Sequence, residues 1–278
     1  MVAYVEMIER ALPGFLPRTL DAVERGAVVE RGLVYPWLLL HPTTPDAVEA
    51  FLRPCADVPL TAANVTDRLG HRRPAYRGML FHCIFRALQL AKAPSEMVER
   101  WRDRLNEQLV EVRMPWSFPE TSIPANQAAT AIDAMWMAIA ANTYLDGGIS
   151  PPAADFFGTL VCCQQPRGAF LTPSPSDNPE TLWYHELVLL HAATLYAAYQ
   201  PDANLDAAIA RAAEFHVRET QPDHATDQPW ALAAFARSAS TRPMADQMLH
   251  AAATMARPGG SAITSILLAD ALYCLARS

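Results

Sequence analysis

The sequence predicts an all-α protein, specifically an α/α toroid of helical hairpins in an inner and an outer layer. Three observations predict it. Almost every long segment places apolar residues at helical spacing, and strand-like alternation is scarce. The 23 prolines fall between those segments, where they start and stop helices, while the 11 glycines are comparatively few. The helices also alternate between amphipathic and apolar all round, as a half-exposed outer layer and a wholly buried inner layer require. A solenoid that does not close is the rival architecture.

Taken in order, the opening "MVAYVEMIERAL" reads as an amphipathic helix over 2–12, with Glu6, Glu9 and Arg10 at helical spacing. Helices over 19–30, 44–53 and 60–69 follow, and residues 1–70 read as a less regular N-terminal cap on a single domain spanning 1–278. An inner helix over 74–92 precedes an amphipathic one over 94–111, whose charges are Glu96, Glu99, Arg100, Asp103 and Arg104. The apolar segments 124–145, 178–199, 226–239 and 260–276 read as the remaining inner helices. Those at 151–164, 203–218 and 242–256 lie between them. The early positions Arg77, Gln127, Leu182, Gln228 and Ala262 recur at roughly 35–55 residues, the range of helical-pair repeats.

Composition narrows the function. Hydrophobic residues make up 51% and charged residues 18%, which allows a large core and argues against disorder. A net charge of −7 without a basic stripe excludes a nucleic-acid partner, and Arg68, His71, Arg72 and Arg73 read as a solvated loop. No basic region followed by an apolar run and cleavage site opens the chain, and no apolar stretch reaches the ~18 residues of a membrane span. Five cysteines without a CxxC pattern suit buried thiols in a reducing cytoplasm, so a cytoplasmic protein is expected. The adjacent Cys162 and Cys163 read as two core-facing residues at a helix end rather than a redox pair.

Two segments carry a family resemblance. "QQPRGAF" has Gln164, Gly168 and Phe170 in a Gln-x-x-x-Gly-x-aromatic pattern after the apolar helix end "FFGTLVCC". It resembles the QW repeat of the terpenoid cyclase and protein prenyltransferase superfamily, and "ETLWYHELVLLHAATLYAA" has the character of an inner helix there. The resemblance implies an α/α toroid in which the Gln closes a helix end and the aromatic packs on it. "ANQAATAIDAMWM" is similar in layout to the Asp-x-Asp-Asp-Thr-Ala segment of the protonating cyclases, with Thr130 and Ala131 in register. The acid positions hold Asn126, Ala128 and Ala129, so the protonating group of that family is missing. An Asp-Asp-x-x-Asp diphosphate motif and the zinc set of the prenyltransferases are missing too.

If the inner helices run parallel, their N-termini converge on one mouth. Asn126, Thr130, Asp133 and Met137 share one helical face, and Thr181, Tyr184, His185, Val188 and His191 share another. Asp227 and Trp230 start the fourth inner helix, and Trp116, Phe118, Arg167 and Phe170 overhang the mouth from loops. An aspartate in an apolar helix is partly desolvated, which raises its pKa and suits Asp133 to acid or base work, with His185 as partner. The plainer reading makes Asp133 a helix-to-helix hydrogen bonder and His185 a core histidine. His185 and His191 are six apart and do not form the i, i+4 pair a metal needs, so no metal or other cofactor is expected. "RPGGSAIT" reads as a loop and helix start, with phosphate binding as the alternative.

Two functions follow. One is an enzyme that folds a hydrophobic, isoprenoid-like small molecule in a central cavity for cyclisation, isomerisation or elimination; a sugar-active variant would pair Asp133 with Asp227. The other is a non-catalytic binding or scaffold protein on a degenerate toroid, favoured by the vacant acid positions. The sequence leans to the enzyme.

Overall fold

The computed structural model describes residues 2–16, 34–41, 43–56, 63–66, 72–75, 77–111, 122–128, 132, 135–136, 139–140, 153–220, 222–255 and 262–277. The protein is mostly helical. Helix α1 (Val2–Ala11) runs into a 3-10 turn, and α2 (Val34–Leu40) and α3 (Pro45–Ala56) follow. After a β-hairpin, α4 (Arg77–Leu90) and α5 (Ser95–Glu111) share a core cluster but are of unlike character. The first is buried nearly throughout, the second half-exposed. A short 3-10 turn at Ala125–Gln127 opens the next segment, whose described positions Ala128, Ile132, Met135, Trp136, Ile139 and Ala140 are all buried. Then come α6 (Ala153–Cys163), α7 (Pro179–Tyr199), α8 (Ala203–Glu219) and the single turn α9 (Pro222–Ala225). The C-terminal part holds α10 (Leu232–Ala236), α11 (Arg242–Met255) and α12 (Ala262–Leu275).

Capping fixes the starts of α7 and α8. The Asn178 side chain accepts from the backbone N–H groups of Glu180 (2.9 Å) and Thr181 (3.2 Å), with Pro179 at the first helical position. Asp202 does the same for Leu205 at 2.8 Å, and each cap stabilises its helix by ~1 kcal/mol. From Tyr184 to Ala197 every side chain of α7 except His185 is buried, as an all-round apolar helix requires.

Two expected helices are corrected. Residues 60–69 contain β1 (Ala63–Thr66), which pairs antiparallel with β2 (Arg72–Ala75) in the register Val65↔Arg73. The β-branched Val65 and Thr66 favour extended backbone over the weak helical pattern there. The segment 226–239 is not one helix either. Pro229 has no N–H for a helix ladder, and the chain turns at Trp230 and Ala231 before α10 begins. Ala231 sits in the left-handed region at φ 57°. The expected helix 19–30 lies outside the described residues.

The core is organised in clusters. The largest joins α1, the 128–139 positions, α6, α7, α8, α10, α11 and α12; a second joins α2, α3, α4 and α5. Tyr35, Cys83, Ile266 and Ala269 form a bridge between them. The N-terminal helix belongs to the first cluster. Ile8 and Leu12 are fully buried, and the Tyr4 hydroxyl donates to Asp246 on α11 at 2.6 Å.

The loop after α6 is a joint, as its Gln-Gly-aromatic pattern implies. Gln164 donates through Nε2 to the carbonyls of Gly168 (2.9 Å) and Ala208 (2.8 Å), and its Oε1 accepts from Arg211. Gly168 has φ 108°, and a Cβ there would lie 2.4 Å from the Arg211 carbonyl oxygen, so glycine is required. Phe170 and Leu171 then donate their N–H groups to the two oxygens of Glu186, at 2.9 and 2.7 Å. Leu171–Thr172 (β4) pairs parallel with Ile123–Pro124 (β3).

Glu186 is buried, and burial pushes its pKa from 4.5 up to about 7 against the lowering effect of its two amide partners. Burial pushes His216 the other way, from 6.5 down to about 3. Glu186 therefore loses stability as pH rises from 4.5 to 7, and His216 loses stability as pH falls from 6.5 towards 3. Between pH 4.5 and 6.5 the two slopes oppose each other. Glu186→Gln should cost about 1–3 kcal/mol, because an amide offers one acceptor to two N–H donors. Urea titrations across that interval should then show stability rising with pH by about 1.4 kcal/mol per unit, where the wild type is nearly flat.

Candidate functional site

The most unusual chemistry lies where three buried helices meet. α4, α7 and α12 each carry an ionisable residue inside an apolar run: His82 in "FHCIF", His191 in "LLHAA" and Asp270 in "LLADAL". His82 Nε2 lies 2.8 Å from one Asp270 oxygen and His191 Nε2 3.3 Å from the other. Asp270 and His82 are wholly buried and His191 is 4% exposed.

Burial alone drives the Asp270 pKa up, but the charge of His82 and hydrogen bonds from His191 and His82 outweigh it and hold the carboxyl below the usual carboxylate range. An ionised carboxylate only accepts, so both imidazoles donate through Nε2–H. The backbone N–H of Ala231 donates to His191 Nδ1 at 3.3 Å, which fixes that ring as the neutral Nε2–H tautomer. The left-handed Ala231 thus has a use: the turn it makes aims its N–H at the imidazole.

Aromatic rings enclose the cluster. Trp136 lies 5.6 Å from His82 and 5.8 Å from His191, Trp230 meets His191 edge-on at 5.4 Å, and Tyr35 meets His82 edge-on at 5.7 Å. Burial first, and then the Asp270 charge, raise the pKa values of Tyr35, Cys83 and Cys274. Those thiols stay protonated and inert. Among the described residues no group of three or more His, Cys, Asp or Glu is arranged to hold a metal ion.

The residues singled out from sequence occupy different places. Asp133, Trp116, Phe118 and Thr130 lie outside the described residues, so the expected Asp133–His185 pair has no measured separation. His185 is half-buried beside Tyr184, with ring centres 5.9 Å apart. Tyr184 and Trp230 come together edge-on at 5.9 Å, but both are fully buried. Phe170 is fully buried in the loop joint rather than overhanging an opening, because its own N–H is tied to Glu186. Arg167 is exposed and paired with Glu219 at 3.2 Å, Asn126 is exposed, and Asp227 is half-buried. Cys162 is exposed while Cys163 is buried, so only one of the pair faces the core.

Sequence reasoning missed the Asp270 cluster. The signal was present as ionisable residues within the apolar runs of these helices, which must find partners when buried. Comparison with models of known families, with curated proteins and with solved structures found no match.

Asp270→Asn should destabilise the protein by on the order of 3 kcal/mol in urea denaturation. An asparagine accepts from one imidazole and turns an N–H₂ towards the other. A loss below about 0.5 kcal/mol would show that the cluster does not hold the helices together.

Proposed function

We propose that the chain is a non-catalytic helical binding or scaffold module, a toroid whose axis is filled by polar and aromatic side chains. One observation carries this reading. Asp270, the central carboxylate, is sealed from solvent and both its oxygens are occupied by imidazoles. A general acid or base must come within ~2.6–3.2 Å of a substrate proton, and that reach is already taken. The vacant acid positions Asn126, Ala128 and Ala129 support the same reading. The toroid is supported by the origin of the cluster. Each of the five segments expected to be inner contributes one side chain: His82, Trp136, His191, Trp230 and Asp270.

A second reading, an enzyme acting on a hydrophobic isoprenoid-like molecule, has a specific observation in its favour. The cluster sets a carboxylate and two imidazoles against aromatic rings, groups suited to proton transfer and cation stabilisation. The buried Nε1–H of Trp136 also has no acceptor among the described residues.

The test is incubation with isoprenoid diphosphates, neutral terpenoids and oligosaccharides, with magnesium or zinc added, and mass spectrometry of the products. The binding reading predicts recovery of unchanged compounds. Turnover by the wild type that falls about a hundredfold or more in Asp270→Asn would establish the enzyme instead.

A further inference from the structure

We propose that a groove between α6 and the corner joining α7 to α8 binds small monocarboxylates with an apolar body. The proposal rests on the binding half of the reading above and gives it a place and a ligand class. The groove holds about 570 Å³, within the range of about 300–1,000 Å³ typical of small-molecule sites. Phe157 and Tyr196 form its floor, their rings stacked at 4.0 Å and 13°. Val161 and Leu205 line its sides. An apolar body would lie against these four side chains.

The charge lies at the two ends. Arg211 closes one end, and its guanidinium is held in place before any ligand arrives. Nε and Nη2 donate to Gln164 Oε1 at 3.0 and 2.6 Å, and Gln164 is itself locked by the Gly168 and Ala208 carbonyls. No carboxylate pairs with Arg211 among the described residues, whereas Arg167 has Glu219 and Arg237 has Asp206. Its Nη1 edge remains for a ligand oxygen, and a fixed guanidinium loses little freedom on binding. Asp202 marks the other end, at the N-cap of the same helix and about 13 Å away along its axis. A single arginine facing an aspartate at that distance favours a monoanion with an uncharged tail over a dianionic phosphate ester.

Gly158 supplies a clean test. It lines the groove, and a Cβ built on it meets nothing within 4 Å, so a side chain can start there in open space. We would titrate sodium decanoate, below its micelle concentration, into the full chain by calorimetry, with decanol as the uncharged arm. Decanoate should bind, and decanol should bind at least about tenfold more weakly. Gly158→Leu and Arg211→Gln should each weaken decanoate at least about tenfold, with thermal unfolding confirming that both variants fold. Failure of decanoate to bind at millimolar concentration, equal binding of decanol, or an unchanged affinity in Gly158→Leu would overturn the groove. A panel compound that binds and ignores Gly158→Leu while decanoate fails to bind would overturn the groove and leave the binding module standing. Turnover lost in Asp270→Asn would overturn the module and leave the groove.

Discussion

The carboxylate of Asp270 is the point on which the rest of the structure depends. Removing a charge from water costs several kcal/mol unless partners replace the lost solvation, and here two imidazole N–H groups do so. The arrangement ties α4, from the second core cluster, to α7 and α12 of the first. It also organises what surrounds it. The turn at Ala231 is drawn to His191, the rings of Trp136 and Trp230 pack on the imidazoles, and the Asp270 charge helps keep Cys83 and Cys274 protonated. A purely apolar contact would join the helices without fixing their rotation. The two hydrogen bonds admit one register.

The other buried carboxylate shows how partners decide the fate of a charge. Glu186 is as deeply placed as Asp270, yet its pKa goes up to about 7 while that of Asp270 goes down. Two backbone amides offset less of the desolvation than two imidazoles do. The consequence is a division of labour along α7 and its neighbours. Glu186 anchors the 164–172 loop from one turn of the helix, and His191 anchors the centre from another. Both anchors sit on a helix that is buried nearly all round, so the loop joint and the central cluster are rigidly related.

Much of the fold was legible in the sequence. Apolar spacing and prolines placed α6, α7, α8 and α11 to within a residue or two, and the all-round apolar character of 178–199 foretold its burial. The resemblance carried by Gln164, Gly168 and Phe170 implied a joint, and the loop is one: Gln164 donates to two carbonyls, Gly168 takes a positive φ and Phe170 is buried. Helix α2 (Val34–Leu40) was not expected, and two elements were misread because local chemistry overrode the periodicity, through Val65 and Thr66 in the hairpin and Pro229 in the broken helix. The candidate site was the least legible. Helical faces show which residues of one helix point together, but His82, His191 and Asp270 meet across 188 positions of sequence, and only the packing of three helices brings them within hydrogen-bond distance.

The most direct test of this account is the solvent exchange of the imidazole N–H protons in the folded protein, followed by nitrogen-15 edited NMR of the histidine rings. A sealed cluster predicts resonances for the Nε2–H protons of His82 and His191 that exchange only as fast as the protein unfolds, with His191 showing a bare Nδ1. Exchange of either proton at the rate of an exposed histidine would contradict it, and would mean that the centre of the molecule is open to solvent and to substrate.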